Sequence, residues 1–215
     1  MQGSLDVLSQ SSAHSRSPSD VGGRRYRVGM PRVVYYTATT LNGFLADDNH
    51  SLDWLFAVPG GEGGDADFME FLEGIGVLVQ GSSTYEWVLK HEDLIAHPEK
   101  WPKYYGDRPT YVFTSRSLPG VPGADIRFVS GDVKASWPEM REAAGDRDVW
   151  VVGGGDLAGQ FADAALLDEI RVSVAPATLV SGKPLLPRNL GSDRLTLQAA
   201  RQMGQFAELT FSVSG

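Results

Sequence analysis

Val149-Trp-Val-Val-Gly-Gly-Gly-Asp-Leu-Ala-Gly-Gln-Phe161 reads as an apolar strand, a triple-glycine turn and the start of a helix. Glycines let a backbone approach a diphosphate closely. The unpaired N–H groups and the dipole of a helix start attract its charge. The spacing Gly153-x-Gly155-x-x-Ala158 fits the loose dinucleotide fingerprint. A Rossmann site also places an acidic residue about 20 positions further on, at the tip of the next strand. Asp168 and Glu169 come too early for that, at the start of the next strand rather than its tip. The segment is therefore a glycine-rich phosphate loop of another kind, or a bare tight turn.

Thr110-Tyr-Val-Phe-Thr-Ser-Arg-Ser117 is a second candidate, a strand with two hydroxyls and a guanidinium at its carboxyl end. Thr114, Ser115 and Arg116 suit a phosphate monoester, because arginine gives forked, charge-assisted hydrogen bonds. An ordinary solvated loop is the alternative. The third is Gln80-Gly-Ser-Ser-Thr-Tyr-Glu-Trp87, again strand, glycine and helix start. The N–H groups of Ser82, Ser83 and Thr84 could face an anion, or Ser83 and Thr84 simply cap the helix. Three such strand ends in one sheet imply a ligand with several phosphates, such as a dinucleotide.

These segments need strands and helices to carry them. Arg32–Thr39 is β-branched and aromatic and reads as a strand. A long polar loop with Asp53-Trp54 and a glycine-rich stretch follows. Asp65 is a candidate N-cap for a helix with Phe68, Phe71, Leu72 and Ile75 on one face. Gly76–Gln80, Pro109–Thr114, Ile126–Val129, Val149–Val152 and Glu169–Ala175 read as further strands. Ser136 and Glu139 form a capping-box pattern for a helix running to about residue 144. The helix after Gly155 is predicted to bury Leu157, Phe161, Ala165 and Leu166. Leu195–Met203 and Phe206–Val213 are predicted to pair as a hairpin around Gly204. Interleaved strands and helices predict an α/β three-layer sandwich, with a mostly parallel sheet of about eight strands and an antiparallel C-terminal hairpin.

Composition removes several classes of function. The 215 residues include no cysteine and four histidines, so disulfides, thiolate chemistry and a zinc site are not expected. His91 and His97 flank Glu92 without forming a His-Glu-x-x-His helix, and neither a Gly-x-Ser-x-Gly elbow nor a P-loop occurs. The net charge is −8, and the arginine-bearing first 31 residues make the remainder more acidic still. Such a body repels a phosphate backbone, so nucleic acid is not an expected partner. No apolar run is long enough to span a membrane, and no apolar segment follows Arg24-Arg25, so a cytoplasmic protein is expected. Residues 1–31, rich in Ser, Gly and Arg, are predicted to form a disordered tail, and residues 32–215 one domain.

Read in order, the motifs resemble the dihydrofolate reductase-like superfamily. The similarity is strongest to the branch containing the reductase domain of the riboflavin-biosynthesis deaminase–reductase and stand-alone dihydrofolate reductase family proteins. Thr39–Ala46 with Leu52–Leu55 resembles that branch's first loop, and Gly81–Glu86 its Gly-Arg-x-Thr-Tyr-Glu motif. Thr114–Arg116 and Gly153–Gly155 resemble its two other cofactor segments. Leu167–Pro176 and Gly182–Leu186 resemble its late strand and the loop after it.

The resemblance implies a dihydrofolate reductase-like fold and a homodimeric reductase using NADPH, with a pteridine or pyrimidine substrate. It places Gly153, Gly154, Gly155, Asp156 and Leu157 on the diphosphate, and Thr114, Ser115 and Arg116 on the 2′-phosphate. Ala38 and Leu45 would meet the nicotinamide through their backbones, and Gly81, Ser82, Ser83 and Thr84 would line the adenosine-side phosphates. The family often has a basic residue where Ser82 stands, which leaves Arg116 as the main charge here. Asp65 occupies about the place of the acidic residue that grips the pterin, so it is either that group or a helix cap. Trp54, Phe68 and Ser173 are candidates for the substrate wall, with core packing the alternative for the two aromatics. The resemblance leaves open the 5-amino-6-(5-phosphoribosylamino)uracil reductase of riboflavin biosynthesis, with Lys183 and Arg188 as phosphate candidates. It also leaves open a dimeric nucleotide-binding module without turnover.

Overall fold

The computed structural model describes residues 30–59 and 66–215. The predicted tail, up to residue 29, lies outside the described residues.

The elements run β1 (Val33–Thr40), β2 (Phe44–Ala46), α1 (Asp53–Phe56), α2 (Ala66–Glu73), β3 (Ile75–Gly81), α3 (Ser82–His91) and α4 (Trp101–Tyr105). They continue with β4 (Thr110–Phe113), β5 (Ile126–Val129), α5 (Val133–Ala144), β6 (Asp148–Gly153), α6 (Gly155–Asp163) and β7 (Leu167–Ala175). β8 (Lys183–Pro184), β9 (Leu195–Met203) and β10 (Phe206–Val213) complete the chain. Eight strands form one sheet in the order β5-β4-β3-β6-β1-β7-β10-β9. The six strands from β5 to β7 are mutually parallel, and β10 and β9 close one edge antiparallel. This is the dihydrofolate reductase-like three-layer arrangement expected from the sequence. β2 and β8 form a separate small ladder.

The central strands β1, β3 and β6 carry near-continuous apolar runs because helices cover both sides of them. On one face Val33, Tyr35, Val77, Val79, Val149 and Val151 pack under α5 and α6. On the other, α2 lays Leu72, with Phe68 and Phe71, on Val34, Tyr36, Leu78 and Trp150. Beside it α3 buries Tyr85, Val88 and Leu89 against Val112.

Local start signals were read less well than periodicity. α3 begins at Ser82 with Gly81 as its N-cap, so Ser83 and Thr84 lie inside the first turn rather than capping it. α5 is capped by Asp132, whose carboxylate accepts from the Lys134 N–H. The Ser136/Glu139 pair sits within the helix, and Glu139 instead accepts from the Tyr111 hydroxyl at 2.9 Å. Ile75 belongs to β3, not to the preceding helix, and α6 stops at Asp163, before Ala165 and Leu166.

Candidate functional site

The parallel strands β4, β3 and β6 are direct neighbours, so their carboxyl ends open side by side on one rim. From that rim the chain leaves β3 into α3 on one face of the sheet and leaves β6 into α6 on the other. Adjacent strands whose connections part in this way create the crevice in which open α/β sheets hold ligands. The three candidate phosphate segments therefore meet at one place.

Their contact is close. A Cβ on Gly81 would lie 3.5 Å from the Gly154 nitrogen, and one on Gly153 would lie 3.1 Å from Thr84 Oγ1. On Gly155 a Cβ would overlap the carbonyl oxygens of Pro184 and Leu185, so only glycine admits the 184–185 backbone there. The Gly153–Gly154 peptide is cis. Both helix starts have glycine N-caps, Gly81 and Gly154, and neither receives a side-chain cap. Two sets of terminal N–H groups thus point at the crevice without an internal acceptor. This is the arrangement a diphosphate requires.

Beyond β4, Thr114 fixes the next turn, its hydroxyl accepting from the Arg116 N–H at 2.9 Å. Ser115 and Arg116 are exposed. The Arg116 guanidinium grips Glu86 of α3 as a fork, Nη1–Oε1 3.0 Å and Nη2–Oε2 2.5 Å. Glu86 thus occupies the forked donors of Arg116. At the other helix, Asp156 is exposed and accepts from Gln160 Nε2 at 3.0 Å, while Arg188 Nη1 lies 3.0 Å from it. The Gln160 bond, with Arg188 behind it, holds the Asp156 carboxyl below its ordinary range. Arg188 also pairs with Asp163 at 2.7 Å and is thereby committed to the flank of α6. Leu157 is buried beneath this turn.

On the rim's other side, Ala38 pairs with Ser173 across β1 and β7, and both are partly buried. Leu45 lies in β2, which the β8 ladder and the Leu185 N–H to Gly43 carbonyl bond (2.9 Å) tie to the 183–185 segment. α1 lies against β1 and carries Trp54, whose Nε1 is buried without a partner. Phe56 of α1 stacks on Trp87 and His91 of α3, with ring centroids 6.2 and 5.0 Å apart. Phe68, partly buried, packs edge-on against Tyr36 and Trp150 at 5.9 and 5.5 Å. Asp65 lies outside the described residues.

The family-model comparison matches residues 31–207 to the RibD C-terminal domain. The chain belongs to the RibD C-terminal domain family. Within the curated proteins, the uncharacterized protein YwjB of Bacillus subtilis (strain 168) is 28% identical over 180 residues, spanning 84% of this chain and 97% of YwjB. A crystal structure of a candidate riboflavin biosynthesis protein from Shewanella sp. PV-4 superposes with a TM-score of 0.69 at 22% identity, covering 86% of this chain and 99% of that one. Dihydrofolate reductase from Enterococcus faecalis, complexed with NADP(H) and RAB-propyl, superposes with a TM-score of 0.56 at 14% identity, covering 86% and 97%. Membership of the RibD C-terminal domain family and the shared fold support a reductase-type protein. No helix among the described residues is long and apolar enough to cross a membrane.

Two residues of the rim escaped sequence reading. Glu86 closes the Gly81–Glu86 motif, and its partner Arg116 lies 30 positions away. Gln80, at the carboxyl end of β3, is 0% exposed, and neither of its amide atoms has a partner. Its only mark in the sequence is one polar side chain closing the apolar run Val77–Val79.

Proposed function

We propose that this RibD C-terminal domain protein is an NADPH-dependent reductase that transfers hydride to a pteridine or pyrimidine-type substrate. One observation carries the reading: two helix starts without side-chain caps and a guanidinium-bearing turn are gathered on three neighbouring strand ends. Their donor set suits a dinucleotide carrying an extra phosphate, and the glycines keep the crevice floor bare. When bound, NADPH supplies the hydride.

The chain's own residues bind and orient. The N–H groups after Gly154 and Gly81 neutralise the diphosphate and the adenosine-side phosphates. Arg116, with Thr114 and Ser115 beside it, exchanges Glu86 for the 2′-phosphate. The backbones of Ala38 and Leu45 frame the carboxamide, and Ser173 and Trp54 border the substrate. Asp65 is the candidate proton holder by its place in the family resemblance, a role that a carboxyl group fills where apolar surroundings raise its pKa. The commitment of Arg188 to Asp156 and Asp163 leaves Lys183 as the remaining candidate cation for a ribose phosphate near the late loop, which favours a substrate without one.

Titration of the purified protein with NADPH and NADH tests the cofactor. Oxidation of NADPH with dihydrofolate supports the leading reading. Oxidation only with 5-amino-6-(5-phosphoribosylamino)uracil moves the assignment to riboflavin synthesis. Saturable NADPH binding without turnover of either leaves a nucleotide-binding module. A homodimer is part of the proposal, checked by light scattering.

A further inference from the structure

A buried primary amide with no partner is an expensive residue to keep in a strand. Every ladder neighbour of Gln80 is apolar or glycine: Val79 and Gly81 along β3, Val112 on β4 and Gly153 on β6. The backbone groups of these residues belong to the sheet, so the sheet offers the side chain nothing. Strand alternation places Gln80 on the face of Leu78, the face that α2 and α3 cover. It is also the last side chain before the Gly81 turn into α3, so it sits at the rim. α1 packs on α3 through Phe56 against Trp87 and His91, and the Trp54 indole N–H is likewise buried and unpaired.

We propose that Gln80 selects the substrate's heterocycle, its side-chain amide pairing with a ring edge that presents an N–H beside a carbonyl. This rests on the reading of the rim as a reductase site and adds to it the residue that recognises the reducible ring. The chemistry follows from the inventory of the group. A primary amide offers one acceptor and a donor side by side, which a lactam edge matches with two parallel hydrogen bonds. A carboxylate at this place would offer two acceptors and would oppose the ring carbonyl. An apolar side chain would fill the same space and leave both ring atoms unpaired. Pyrimidinediones and pterins carry such an edge, and ring N-methylation abolishes its donor.

The test compares 5,6-diaminouracil with 5,6-diamino-1,3-dimethyluracil by calorimetric titration, with and without NADP⁺. The proteins are wild type, Gln80→Leu and Gln80→Met. Wild type is expected to bind the unmethylated probe at least about tenfold more tightly, and both variants to lose that preference through weaker binding of the unmethylated probe alone. Thermal melts of the variants confirm folding, and two substitutions guard against one of them failing. A preference that survives in a folded Gln80 variant reflects methyl bulk and overturns the proposal. So does a wild-type protein that fails to bind 5,6-diaminouracil. NADPH titration of the same samples separates the two readings. Loss of all cofactor binding in wild type overturns the reductase site, whereas intact cofactor binding with a Gln80-independent preference overturns only the role of Gln80.

Discussion

Arg116→Ala removes the guanidinium of the turn after β4, and the structure sets the size of the effect. In the wild type, Arg116 must leave Glu86 before it can hold a 2′-phosphate. Both partners are well exposed, at 53% and 40% of their side-chain surface, so the pair contributes only about 0.2–1 kcal/mol. Charge-assisted hydrogen bonds to a phosphate contribute about 1.5–3 kcal/mol. The exchange therefore favours NADPH by about 0.5–2.8 kcal/mol, a factor of about 2 to 110 in Kd. NADH lacks the 2′-phosphate, so its affinity should change by less than about twofold. Fluorescence titration of wild type and variant with both cofactors checks this. Repeating it at higher salt should shrink the gap, because the contact is solvent-exposed. Equal weakening of NADPH and NADH, or no weakening of either, refutes the assignment of Arg116.

Glu86→Gln removes the competing carboxylate and should tighten NADPH by about 1.4- to 5-fold, the inverse of the same pair energy, in the same titration. Gly155→Ala forces the 184–185 backbone away from α6. A loss of about 1–3 kcal/mol is expected, seen as a lower melting temperature, and an unchanged melt removes the close approach from the argument. Gln80→Met replaces an orphaned amide by an apolar chain of similar length and should raise the cofactor-free melting temperature by about 2–8 °C. A fall in that melt would mean that the amide is satisfied within the fold. Asp65→Asn should lower kcat while leaving the NADPH Kd intact, and steady-state rates that stay at the wild-type level return Asp65 to a helix cap.

Long-range order was readable wherever pattern decides it. The β-branched and apolar runs at 32–39, 76–80 and 149–152 read as strands and match β1, β3 and β6 to within one residue at each end, and the turn at Gly204 places β9 against β10. The three candidate phosphate segments stood out because glycine and hydroxyl residues at strand ends leave a local trace, and the structure brings them to neighbouring strand ends. What the sequence could not display was set by distance along the chain. The insertion of β6 between β3 and β1 brings Gly154 onto Gly81, and nothing near either residue announces it. The grip of Glu86 on Arg116 and the commitment of Arg188 to α6 are likewise products of packing. The capping misreadings share one cause. Ser83, Thr84 and Ser136 are good caps by type, but the cap position is taken by whichever residue the incoming strand or loop leaves in extended conformation, here Gly81 and Asp132.

The central place of β1 has a consequence for how the chain acquires its shape. Among the described residues β1 pairs with β6 and β7 alone, so Val33 waits for Val149 and Leu167 to complete its ladders. Arg32 and Asp148, which hydrogen-bond at the foot of that pairing, stand 116 residues apart. Closing loops of that length makes nucleation slow relative to local helix formation. During synthesis an early apolar strand stays unsheltered until most of the domain has left the ribosome, and chaperone dependence and inclusion-body formation should track mutations in β6 more closely than those in β9.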